Sequence, residues 1–254
     1  MVLVTTSSSS SERVPAIEFL IQSAQLLQVP PIVKYSALSL FADRFLPSLP
    51  ADSPNWLLQP LTESALQLFV LMSLWISSKV SLQFQSFRSR LAHCDSLHIH
   101  LQMHDTQPLS ATCLKSLADK SIKEQHYTTR NFIEAEMLFM QVLNFEIGTT
   151  NITFVYLEEL WIQFKGVTKV GELIDFDVCM DVMDLLYEKE ETSFLYRSPH
   201  SLAASILVVS YIITVPKQKW EFPVLAWVNF VTSYKEEDIM KRVMEILKHV
   251  LEPS

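Results

Sequence analysis

Glycine is nearly missing from this chain, with three in 254 residues. Glycine supplies the left-handed positions of tight turns and helix C-caps, so its scarcity excludes a turn-rich β fold. Cysteine is equally sparse. Cys94, Cys113 and Cys179 are odd in number and show no C-x-x-C spacing, which excludes a disulfide framework or a cysteine-rich zinc module and fits a reducing compartment. Positive charge is short too. A formal net charge of -8 argues against nucleic acid as the ligand, because a phosphate binder needs a basic stripe. The most apolar stretch, Leu202 to Val215, is interrupted by Ser205, Ser210, Tyr211 and Thr214. It falls short of the roughly 20 residues that span a bilayer, and it predicts a buried core helix rather than a membrane segment. The chain carries no Gly-rich phosphate loop, no G-x-S-x-G elbow and no H-E-x-x-H. Thr5 to Ser11 is almost all hydroxyl residues, without the charged and apolar regions of a secretion signal, and a disordered tail over residues 1–13 is expected.

Leu, Ala, Met, Glu, Gln and Lys fill the apolar-periodic stretches. These residues lose little rotamer freedom in a helix, and an all-α fold is expected. Ile17, Leu20, Ile21, Ala24 and Leu27 mark one face of a first helix, Pro15 to Val29, which Pro30 and Pro31 stop. Pro31 suits the first turn of a second helix, Ile32 to Leu46. A proline-studded loop leads to a third, Thr62 to Ser78, where Ser73 and Ser77 lie among large apolar residues and admit close neighbours. Ser110 caps a fourth helix through Asp119, and Thr128 or Thr129 caps a fifth through Leu143. The second half repeats the rhythm with Asn151 to Phe164, Glu172 to Glu188, Ser201 to Thr214, Pro223 to Val231 and Glu236 to Leu251. Two successive five-helix bundles, 14–148 and 149–254, are therefore predicted.

Three groups of polar residues stand out. Glu136 has Phe132, Ile133, Phe139 and Met140 as its helical neighbours, so a donor must reach it from elsewhere in the fold or from a partner. Lys79 is placed at the end of the third helix, where a cation complements the negative dipole end. Asp177, Asp181 and Asp184 share one helix face, suited either to magnesium or to water; with Cys179, Val182, Met183 and Leu186 opposite, a wet amphipathic face is the simpler account. His93, Cys94, His98, His100 and His104 hold no fixed ligand spacing, so no metal site is expected.

Ala37-Leu-Ser-Leu-Phe-Ala-Asp-Arg-Phe-Leu46 resembles the second helix of the cyclin box. The likeness continues in order. Leu66-Gln-Leu and Ile76-Ser-Ser-Lys79 resemble its third helix, and Glu136-Met-Leu-Phe-Met-Gln-Val-Leu-Asn-Phe-Glu-Ile147 its fifth helix and exit. Ser198-Pro-His-Ser-Leu-Ala-Ala-Ser-Ile206 resembles the third helix of the second box. Within the cyclin family, Leu109-Ser-Ala-Thr-Cys-Leu-Lys-Ser-Leu117 and Phe145-Glu-Ile-Gly148 are most similar to the plant J-type members. Relative to the family, 80–103 is an apparent insertion.

The resemblance implies two cyclin boxes and a regulatory, non-catalytic subunit that needs no cofactor. Such a subunit forms a heterodimer with a cyclin-dependent protein kinase, activates it allosterically, and works in cell-cycle control in the nucleus and cytoplasm. Lys79 and Glu136 match a pair at the kinase-facing surface. Ile76, Val80, Met140, Phe145 and Ile147 match an apolar pocket for the kinase's regulatory helix. Ile17, Leu20 and Gln67 match positions of the family's substrate-docking patch, whose Met and Trp are absent here. After Lys79 the family has an aromatic and two acids, where this chain has Val80, Ser81 and Leu82. That departure keeps open a second expectation, a cyclin-fold adaptor in transcription or signalling that activates no kinase.

Overall fold

The computed structural model describes residues 7–50, 55–92, 109–148, 151–219 and 222–251, and the chain divides into two compact units, Met1–Thr149 and Thr150–Ser254. Among the described residues all regular structure is helical.

In the first unit the third helix, α3 (Glu63–Ala92), packs against α1 (Ser7–Leu26), α2 (Pro31–Leu38), α4 (Ala111–Ser121) and α5 (Thr129–Val142). Its composition explains its place. Leu66, Leu68, Phe69, Val70, Leu71, Met72 and Leu74 are all but inaccessible, and Ser73 and Ser77 are fully buried between them. Apolar side chains all round a helix require neighbours all round. Over Glu63–Ser81 the helix is long and apolar enough to cross a membrane, and 78% of that window is buried within the unit.

Capping sets the other boundaries. Pro31 opens α2, as its missing N–H allows. The Ser110 side chain accepts from the Cys113 N–H and starts α4, while Thr128 and Asn131 form a reciprocal capping box on α5. Three boundaries in this unit differ from the sequence expectation, and in the second unit the helix expected from Glu172 begins at Phe176, after a 3-10 turn over Lys169–Leu173. Helix α1 begins at Ser7 and runs through Pro15 rather than starting there. Serine lies within about 0.5 kcal/mol of the good helix formers, so the serine run follows the turns that Ile17 and Leu20 anchor. The second helix does not continue unbroken to Leu46; at Ser39 it widens into a π-helical segment, Ser39–Phe45, and then a 3-10 turn, Leu46–Ser48. Helix α3 does not stop at Ser78. No glycine or proline occurs between Glu63 and Ala92, so nothing in the chain ends it. The first part of the apparent 80–103 insertion is therefore helix, and the rest lies outside the described residues.

The second unit contains α6 (Thr153–Val167), α7 (Phe176–Glu188), α8 (Pro199–Thr214), α9 (Val224–Thr232) and α10 (Glu236–Leu251). Helix α8 is its centre, packing on α6, α7, α9 and α10, with every residue from Ser201 to Tyr211 buried. Around it, Phe164 meets Tyr211, Phe222 and Trp227 edge to face, an arrangement the ring quadrupoles favour.

Candidate functional site

Helices α3 and α5 of the first unit bring Lys79 and Glu136 together. Lys79 Nζ donates to Glu136 Oε1 at 2.6 Å. The ammonium also lies 3.7 Å from the centroid of the Trp75 ring, one turn earlier on α3, so two independent attractions hold it in place. The pair is at the surface: the Lys79 side chain is 44% exposed and that of Glu136 20%. Glu136 Oε2 and the remaining ammonium protons have no partner among the described residues. The end-of-helix account of Lys79 fails, because α3 runs on to Ala92 and a helix dipole acts only within its last turn.

Helix α5 explains the surroundings of Glu136. Phe132, Ala135 and Phe139 face the core, whereas Ile133 is 59% exposed and Met137 46% exposed. Glu136 sits at the border of the two faces. Of the apolar residues matched to the partner pocket, Ile76 is buried, Val80, Met140 and Ile147 are half-buried, and Phe145 is exposed.

The Ala37 to Leu46 segment supports this face from beneath. Phe45 is fully buried and stacks on Phe139 of α5 at 4.4 Å, with Phe69 of α3 at 4.9 Å. Arg44, next to it, reaches the chain beyond α5, where it donates to the main-chain oxygens of Glu146 and Gly148. One side of the segment thus fixes the two helices and the other fixes their exit.

The expected docking patch is corrected by burial. Ile17 and Leu20 are fully inaccessible because α1 packs them onto α3, and they offer no surface to a peptide. Gln67 is half-buried and donates to Glu63 Oε1 on its own helix. The Asp177, Asp181 and Asp184 face is wet, with Asp177 and Asp181 exposed. No group of three metal-ligating side chains occurs among the described residues. His93, Cys94, His98, His100 and His104 lie outside them. A cavity of about 410 Å³ opens between Leu49, Pro50, Leu58 and Leu61. It includes none of the matched residues.

Sequence reasoning missed Trp75, Met137, the exposure of Ile133 and the role of Arg44. The four-residue spacing of Trp75 and Lys79 was a readable signal. The outward turn of Ile133 and Met137 was not, because apolar residues at helical spacing usually mean core.

No protein-family model matches the chain. It is 55% identical over 240 residues to Cyclin-J18 of Arabidopsis thaliana, covering 92% of this chain and 93% of that protein. It is 46% identical over 255 residues to Cyclin-J18-like of Oryza sativa subsp. japonica, covering 96% and 89%. The fold is similar to the X-ray structure of a viral cyclin from herpesvirus saimiri, with a TM-score of 0.64 and 13% identity over 98% of this chain and 87% of that one. Near-complete coverage at such identity decides the matter: the chain belongs to the cyclin family, as a cyclin of the plant J type.

Proposed function

We propose that the protein binds a cyclin-dependent protein kinase and activates it allosterically, in the nucleus and cytoplasm, as a cell-cycle regulator. The observation that carries this reading is the surface ion pair of Lys79 and Glu136. Among the described residues it keeps unused donors and an unused carboxylate oxygen, and the helix that carries Glu136 also exposes Ile133 and Met137. A charged pair with spare hydrogen-bonding capacity suits main-chain groups of a partner, and the exposed apolar side chains suit an aliphatic anchor. An active kinase needs the glutamate of its own C helix paired with its β3 lysine. A cyclin docked at this face holds that helix inward and supplies no catalytic group.

The test is co-purification with a panel of cyclin-dependent kinases, followed by a kinase assay with the wild type and with Lys79→Ala combined with Glu136→Ala. Activation by the wild type that the double substitution abolishes is the expected result. Binding to no kinase in the panel would leave the adaptor reading, which the altered residues Val80 and Ser81 after Lys79 favour.

A further inference from the structure

Helix α5 ends in a turn whose geometry is demanding. The Phe145 N–H donates to the Met140 carbonyl at 2.8 Å and the Asn144 N–H to that of Gln141 at 2.9 Å, the two bonds of a Schellman motif. Such a motif wants one left-handed residue, and Asn144 provides it with φ 52. Phe145 then follows with φ 61, a region in which a bulky L residue is crowded. Its ring is 58% exposed, so core packing does not account for the strained backbone beneath it. Strain of this kind persists only where surrounding contacts enforce it.

Besides main-chain bonds from the Glu146 N–H to the Leu143 carbonyl and from the Ile147 N–H to the Phe145 carbonyl, the bracing contacts come from Arg44. Its Nη2 donates to the Glu146 carbonyl and lies 3.9 Å from Oε2 of the same residue. Its Nη1 donates to the Gly148 carbonyl at 3.3 Å. Phe45, the next residue, is stacked on Phe139 of α5, so the guanidinium starts from a base fixed to the helix whose exit it braces. A planar fork with several donors spans two carbonyls in one geometry, which a single ammonium does less well.

We propose that Arg44 is a positioning residue for the partner surface: by bracing the Glu146 and Gly148 carbonyls it fixes the double left-handed turn at Asn144 and Phe145, and so sets where Phe145 stands. The partner half of this inference rests on the kinase-binding reading; the bracing half does not.

Two readouts on the full chain test it with Arg44→Gln, Arg44→Lys and Phe145→Ala. The first is amide hydrogen exchange. Arg44→Gln should speed exchange over residues 143–148 by about tenfold while the amides of Leu66 to Leu74 keep their wild-type rates, because local and global opening are separable. Wild-type exchange at the turn would overturn the bracing. The second is kinase affinity in a double-mutant cycle. Arg44→Gln should weaken binding about tenfold in the wild type and less than about twofold in the Phe145→Ala background, since residues acting through one another are not additive. Additive losses would overturn the positioning role. Arg44→Lys should move both readouts in the same direction by less, and it replaces Arg44→Gln if that variant does not fold. A wild type that binds no kinase defeats the functional reading alone, and the exchange measurement still decides the brace.

Discussion

Replacing Lys79 separates the fold from the interface, because the structure assigns the two very different energies. Its ion pair with Glu136 is 2.6 Å long and joins side chains 44% and 20% exposed. Pairs so open to water contribute about 0.2–1 kcal/mol to stability. The contact with the Trp75 ring adds about 0.5–1 kcal/mol. Lys79→Ala should therefore cost the fold about 1–2 kcal/mol, a fall in Tm of about 2–8 °C for a chain of this size. Adding Glu136→Ala should cost little more, since it also removes the carboxylate left behind. Across an interface the same truncation desolvates and strands a charge, at about 2–5 kcal/mol. Kinase affinity should thus fall at least about thirtyfold. Thermal melting by circular dichroism and titration calorimetry with the kinase measure both quantities on one preparation. Loss of cooperative melting would make the pair a structural element of the unit. A Kd within about threefold of wild type, with melting intact, would refute the interface assignment.

Phe145→Gly should leave Tm within about 3 °C of wild type, because relief of left-handed crowding, about 1–2 kcal/mol, opposes the chain entropy of glycine, about 0.5–1 kcal/mol. The same substitution should weaken kinase binding about tenfold or more, as loss of an aromatic anchor does; a large fall in Tm with unchanged affinity would make Phe145 a structural residue. Tyr127 is 2% exposed, its hydroxyl has no partner among the described residues, and burial pushes the phenol up to about 12. Tyr127→Phe should therefore raise stability by about 1 kcal/mol in urea unfolding, and a destabilised variant would contradict that. Burial likewise pushes the Cys179 thiol up to about 11 from its ordinary 9.0. A folded-state pKa above the unfolded one gives stability that is complete below about pH 9 and lost as pH rises toward about 11. The stability advantage of wild type over Cys179→Ala should shrink by about 2–3 kcal/mol between pH 8 and pH 11, and a constant difference in urea midpoints would refute the burial argument.

The helices were legible because their signals are local. Proline at Pro31, the hydroxyls of Ser110 and Thr128, and the apolar period of α7 and α10 each act within a turn or two of chain. What local signals could not give was the end of α3: its expected end at Ser78 has no stop behind it, since no glycine or proline occurs before Ala92. The π-helical segment after Leu38 was equally hidden, because it depends on how Phe45 must reach Phe139 and Phe69. Lys79 and Glu136 were found through their chemistry and the family likeness, and the structure joins them. Ile17 and Leu20 match docking-patch positions through the family likeness alone, and their apolar spacing marks a face of α1 without saying whether that face is covered; it is. The same ambiguity concealed Ile133 and Met137, which share the period of the core-facing residues of α5 and point the other way.

The position of the ion pair also predicts how substitutions in this unit will sort. Lys79 stands on the central helix of the unit, and Glu136 on a helix joined to it through the Phe45 ring, which meets Phe69 and Phe139. Neither charge can move far without opening that packing, so the pair inherits the rigidity of the unit. The exit turn is different. A few hydrogen bonds and one arginine hold it, and it should open at lower free energy than the core. Core substitutions such as Phe45→Ala, which removes a fully buried ring at a cost of about 3–5 kcal/mol, should lower Tm and reduce kinase binding only in proportion to the folded fraction. Substitutions at Arg44 or Phe145 should change affinity with little change in Tm. A Phe45→Ala protein that melts far lower yet loses affinity well beyond its unfolded fraction would mean that the stack tunes the interface directly rather than merely supporting it.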